Sequence, residues 1–155
     1  MTDEAREAAD WHCRALSRTF NGSAQPDYKF HGANDNMPMI ATYGLIFSGE
    51  ALDIPEALEH GLWNLNEIRR LLSRSAWFSE FNSSTYSPIT LSGISRIAAY
   101  SKTPEARKLA LEIEHRLWAE LLLHYHPGTF MQAGPNCRSY MIDLAGHTHT
   151  LQVFL

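Results

Sequence analysis

Three polar stretches of this 155-residue chain hold most of the side chains able to do chemistry. They are His31-Gly32-Ala33-Asn34-Asp35-Asn36, Glu80 to Tyr86, and Arg138 to His149. Asp35 and Glu80 are the only carboxylates of the first two. Glycoside hydrolysis needs such a pair, one protonated to assist the leaving oxygen and one ionised to activate water or attack the anomeric carbon. Asp35 and Glu80 are therefore candidate catalytic residues, with His31, Asn34, Asn36 and His147 as groups able to bind substrate hydroxyls. The competing structural reading makes Asp35 or Asn36 the cap of the helix that follows, and Glu80 a solvated loop carboxylate.

A second chemistry fits Asn82, Tyr86, His126, Arg138 and Tyr140. A uronate lyase neutralises the substrate carboxylate with amide, Arg or His groups, and a Tyr or His then removes the α-proton and protonates the leaving oxygen. Tyr86 and Tyr140 are the candidate proton carriers, and Asn82, His126 and Arg138 the binding groups. Buried, hydrogen-bonded phenols are the structural alternative for both tyrosines. Trp77 and Phe78, just before Glu80, offer either a sugar-stacking platform or a buried hinge. His124/His126 and His147/His149 form two His-X-His pairs. Residues two apart on a helix point to different faces, and no Cys or acidic residue stands at ligand spacing, so neither a metal nor a cofactor is expected.

The elements that must position these groups follow from a repeat. Pro38 and Pro88 each follow a polar stretch and open an apolar run, and Pro55-Glu56-Ala57 and Pro104-Glu105-Ala106 each open an amphipathic one. A fixed period of this kind signals stacked supersecondary units sharing one core. Helices are expected over 3–20, 37–50, 54–76, 88–101 and 104–126, with a sixth starting in 141–155. Asp53, with Pro55 and Glu56 after it, reads as a capping-box start, and Ser87-Pro88 and Thr103-Pro104 as cap-plus-proline starts. Residues 37–49 carry no charge and 87–101 only Arg96, whereas their partners are rich in Glu, Arg and His. A helix apolar nearly all round must be covered on most sides. Two layers follow, weakly charged helices inside and amphipathic ones outside, with the polar stretches gathered at one end of the inner helices.

Composition bounds the partners. With 45% hydrophobic and 19% charged residues, the chain reads as a single globular all-α domain over 1–155, with hairpin units near 37–76, 88–126 and 141–155. A net charge of −4 with no Lys/Arg run argues against nucleic acid. No apolar run approaches the roughly 20 residues needed to cross a bilayer, and the N-terminus lacks the pattern of a signal peptide, so a cytoplasmic location and no membrane partner are expected. Cys13 and Cys137 are expected as free thiols.

The geometry resembles the (α/α) toroid of glycan-active enzymes, the six-hairpin glycoside hydrolases and the polysaccharide lyases built on incomplete toroids. The resemblance covers about residues 31 to 155. Its most specific parts are Glu80-Phe81-Asn82-Ser83-Ser84-Thr85-Tyr86 and Gly134-Pro135-Asn136-Cys137-Arg138-Ser139-Tyr140, which look like paired motifs of large toroid proteins. The chain departs from that pattern at Ser84, where Pro would stand, and at Asn136-Cys137, where His-Ser would. Six hairpins need roughly twice this length. The resemblance therefore implies a partial toroid, either a fragment whose remaining half belongs to the same polypeptide or a homo-oligomer that closes the core. It also implies a glycan substrate, with hydrolysis and elimination both open. A non-catalytic helical-repeat scaffold and an inactive truncated relic are the rival readings.

Overall fold

The computed structural model describes residues 35–129 and 131–138, together with Asp3 and Glu7. The helix expected over 3–20 and the segment 141–155 lie outside the described residues. The described chain is all-α: α1 (Asn36–Leu52), α2 (Pro55–Ser75), α3 (Tyr86–Tyr100) and α4 (Pro104–His124). One two-residue ladder follows, β1 (Tyr125–His126) pairing antiparallel with β2 (Met131–Gln132). Tyr125 and His126 were expected as the end of the last helix. Pro127 explains the difference, because a residue before proline is pushed out of the helical region. Tyr125 is already extended, at φ −80° and ψ 126°.

The prolines do what their spacing implies. Pro55 and Pro104 stand in the first turns of α2 and α4, where a missing N–H costs nothing. The caps differ from expectation. Asp53 ends α1 in the left-handed region at φ 54°, its N–H donating to the Gly49 carbonyl, and Ile54 takes the N-cap position of α2. Asp35 and Thr103 also make no side-chain cap bond, and Ser87 lies inside α3, which begins at Tyr86. Ala76 ends α2 in the left-handed region at φ 68°.

The helices pack in the cyclic order α1–α2–α4–α3, so each hairpin lies side by side with the other, α1 against α3 and α2 against α4. One core runs through the centre. Met39 and Ile46, Leu65 and Ile68, Leu91 and Ile94, and Ile113 and Leu117 come from the four helices in turn, each at most 5% exposed. At one end the Glu50 carboxylate, from the last turn of α1, accepts the N–H groups of Lys102 and Thr103 in the α3–α4 turn, both at 3.0 Å. Burial pushes the Glu50 carboxyl up, but these bonds and the Ser101 hydroxyl outweigh it and leave the group below its ordinary value. None of the described helices is long and apolar enough to cross a membrane.

Glycines set how closely α1 and α2 approach. A Cβ on Gly49 would stand 2.7 Å from the Leu58 backbone nitrogen, and one on Gly61 2.6 Å from Ile46 Cγ1. Alanine is the better helix former, yet backbone atoms at Leu58 cannot move aside as a side chain can. Gly49→Ala is therefore expected to destabilise the protein by about 1–3 kcal/mol, read from the shift in urea midpoint at unchanged slope. A neutral or stabilised variant would mean that α1 and α2 are not in backbone contact there.

Candidate functional site

Opposite the Glu50 end, the chain entering α1, the link from α2 to α3, and the segment after β2 meet in one corner. Glu80 is its centre, 1% exposed. The Asn36 N–H, at the start of α1, donates to Glu80 Oε2 at 2.8 Å, and Arg138 Nη1 donates to Glu80 Oε1 at 2.7 Å. Glu80's own N–H donates to Asp35 Oδ2 at 2.6 Å. One residue thus ties the first polar stretch to the second through two bonds, and the second to the third through an ion pair.

Asn82 makes the next link. It sits in the left-handed region at φ 51°, a conformation Asn tolerates better than most residues. Its Nδ2 donates to Asn136 Oδ1 at 2.7 Å and to the Ala133 carbonyl at 2.8 Å. The Cys137 N–H donates to the Phe81 carbonyl at 3.0 Å. Arg138 is also left-handed, at φ 54°, and its guanidinium lies 4.7 Å from the centre of the Tyr86 ring, within cation–π range. The asparagines at 36 and 82 each bury an Oδ1 that finds no hydrogen-bond partner among the described residues, the kind of orphan that a water or a ligand hydroxyl satisfies.

Beneath the loop lies Glu120, itself 1% exposed, on the core side of α4. Its Oε1 accepts the Asn82 N–H at 3.0 Å and its Oε2 the Phe78 N–H at 3.2 Å. Burial raises the Glu120 carboxyl, opposed by those two N–H groups and by His124. Sequence reasoning passed over this residue. The signal was there: Glu120 stands one turn beyond Leu117 on the Ile113–Leu117–Leu121 stripe, and a carboxylate on an apolar face must have partners.

Asp35 is the third carboxyl group of the corner. Burial pushes its carboxyl up to about 6, with the Glu80 N–H and the Ser79 side chain pulling down and the Glu80 and Glu120 charges pushing further up. It borders a crevice lined by Ile68, Leu71, Leu72, Trp77 and Phe78. Phe78 is buried, whereas Trp77 is 39% exposed and packs edge-on against Phe81 and His124, ring centres 5.7 and 6.1 Å away.

Of the residues singled out in the sequence, Asp35, Asn36, Glu80, Asn82, Tyr86 and Arg138 are brought together, with Trp77 on the adjoining crevice. His126 is not part of the corner; its Nδ1 pairs with Thr129 Oγ1 at 3.0 Å inside its own turn. His31, Asn34, Tyr140 and His147 lie outside the described residues. Among the described residues no group of three His, Cys, Asp or Glu side chains is placed to hold a metal, and Cys137 is a free thiol.

Fold and corner together define an all-α protein of stacked helical hairpins with a carboxylate-centred loop junction. Residues 19–155 match the family described as a domain of unknown function (DUF8769), and the chain belongs to that family. No curated protein and no solved structure matches it.

The corner makes a direct prediction. Replacing Glu120 by Ala leaves the Phe78 and Asn82 N–H groups buried without acceptors. A loss of about 2–4 kcal/mol in urea unfolding is expected, with faster amide exchange at those two positions. A change below about 0.5 kcal/mol would show that the loop does not depend on this carboxylate.

Proposed function

We propose that the two hairpins are consecutive units of an (α/α) toroid and that the corner is the glycan-facing end of a carbohydrate-active protein acting by acid-assisted hydrolysis. The observation that carries the proposal is Asp35: a half-buried carboxyl held protonated up to about pH 6, on the same crevice as a partly exposed tryptophan. A neutral carboxylic acid is what protonates a departing glycosidic oxygen, and an indole face is what a sugar ring stacks on. The side-by-side packing of α1 on α3 and α2 on α4 is the neighbour relation that toroid units require.

Glu80 takes a different role from the one its loop position invites. With both oxygens engaged and the residue 1% exposed, it anchors the corner rather than meeting substrate. The ionised partner that hydrolysis also needs is accordingly neither Glu80 nor Glu120. Elimination is the less supported chemistry, because Arg138 would have to leave Glu80 in order to neutralise a uronate. The rival scaffold reading draws on the same facts: both oxygens of Glu80 and of Glu120 are spent on hydrogen bonds within the protein itself.

The test is hydrolysis of neutral glycans read by reducing ends, beside uronic-acid polymers read by the ultraviolet absorbance of unsaturated product. Reducing ends without unsaturated product are expected. The rate should fall as pH rises through about 6, because only protonated Asp35 can assist the leaving oxygen, and fall again at low pH once the ionised partner takes up a proton. Asp35→Asn should remove at least about 100-fold of the rate with unchanged helical circular dichroism, and Trp77→Ala should raise KM. Linkage gives a readout independent of substrate. A carboxyl whose folded value is raised binds its proton more tightly when folded, so stability should fall between about pH 4 and 6, and Asp35→Asn should flatten that slope. Full activity in Asp35→Asn would remove Asp35 from the mechanism. No activity on any glycan, with the stability slope present, would favour the scaffold reading.

A further inference from the structure

We propose that a second crevice, beside Trp77 and Phe81, is a subsite for an uncharged aromatic group, the aglycone of the glycoside whose leaving oxygen meets Asp35; this rests on the hydrolytic reading above and narrows its substrate to a class. The crevice has a volume of about 410 Å³ and is lined by Leu71, Ser75, Trp77, Phe78, Ser79 and Phe81. Small-molecule sites span roughly 300–1,000 Å³, so the space is of the right size for a single ring and its substituents.

The second crevice is continuous with the first. Leu71, Trp77 and Phe78 line both, and Ser79, which borders the second, hydrogen-bonds through its side chain to the Asp35 carboxyl at the first. The acid therefore stands at the junction of the two, where the bond between a sugar on one side and its aglycone on the other would lie. Hydrolysis breaks the bond from the anomeric carbon to the aglycone oxygen. That oxygen takes the Asp35 proton and leaves as a neutral phenol, while water gives its hydroxyl to the sugar and its remaining proton restores the acid.

The lining selects the kind of group. Among the described residues no charged side chain borders the second crevice, so a uronate or sulfate placed there would lose its hydration without gaining a counter-ion. The two hydroxyls are already committed: Ser75 Oγ shares its proton between the Leu71 and Trp77 carbonyls at 3.0 and 2.8 Å, and Ser79 is bonded to Asp35. A sugar ring carries hydroxyls round its whole rim and would leave them poorly matched against such walls, whereas a phenyl ring carries none. The walls are themselves aromatic. Phe81 meets Trp77 edge-on at 5.7 Å and 73°, and His124 at 4.9 Å and 88°, an arrangement that a further ring extends favourably.

Binding is measured without turnover. Phenol is titrated into the full chain near neutral pH, with glucose and benzoate in parallel, and followed by the indole N–H NMR signal of Trp77, which is the one of the four tryptophan signals lost in Trp77→Phe. Phenol should move that signal with a Kd of roughly 1–10 mM, and glucose and benzoate should bind at least about tenfold more weakly. Phe81→Leu, which keeps an apolar side chain and removes the ring, should weaken phenol about threefold or more, and Ser75→Trp, at the exposed rim, should fill the crevice and abolish binding. If Phe81→Leu fails to fold, Ser75→Trp decides. Glucose or benzoate binding as well as phenol overturns the proposal, as does phenol binding insensitive to these variants. A Trp77 indole N–H shielded from solvent exchange in the free protein overturns it too, because the chain's own residues would then occupy the space. Phenol binding at Trp77 without hydrolysis of any glycoside keeps the subsite and removes the hydrolytic reading; hydrolysis without phenol binding does the reverse.

Discussion

A buried carboxylate at Glu80 constrains everything around it. A charge at 1% exposure costs several kcal/mol in desolvation unless it is paired and hydrogen-bonded, and here two sources supply this. One is the Asn36 N–H, among the first backbone donors of α1, where the unsatisfied N–H groups and the helix dipole both favour negative charge. The other is the Arg138 guanidinium, held in place by the Tyr86 ring. The start of one helix, the start of its neighbour and a segment beyond the second hairpin meet because this charge needs all of them. The raised Asp35 carboxyl is a consequence. Burial, with Glu80 and Glu120 close by, makes a further negative charge in the corner unfavourable.

The same device recurs at two other places. Glu50 holds the α3–α4 turn by the Lys102 and Thr103 N–H groups, and Glu120 holds the loop before α3 by the Phe78 and Asn82 N–H groups. Each carboxylate reaches from one element to a segment about 40 to 50 residues away in sequence. The apolar core sets the helices side by side with little directional preference. The carboxylate bonds have direction, so they fix which loop lies against which helix end.

Much of this could be read from residue types alone. The duplicated prolines marked the four helices to within a residue or two, and the weakly charged runs 37–49 and 87–101 marked two helices that pack against each other. The convergence of Asp35, Glu80 and Arg138 was legible because their polar stretches recur along the chain at the interval of the repeat. What escaped depends on distance rather than on pattern. Asp53 has the identity of a helix start, but that it ends α1 and leaves the N-cap position of α2 to Ile54 is decided by its backbone angle. Glu80 reads as a loop carboxylate until the Asn36 N–H is seen 2.8 Å away. Glu120 looks like one more charge on a charged helix, and only the neighbouring stripe residues betray that it points inward. The two residues of β1 were lost to the proline after them.

Glu80 and Arg138 act as one unit in holding the corner. The most direct measurement is a double-mutant cycle of Glu80→Gln and Arg138→Met, read as unfolding free energy in urea near neutral pH. If the pair works as described, each single change leaves an unmatched partner, the double change relieves it, and the coupling is about 1.5 kcal/mol or more. A coupling within about 0.3 kcal/mol of zero would mean that the two residues contribute independently and that the corner is held by something else.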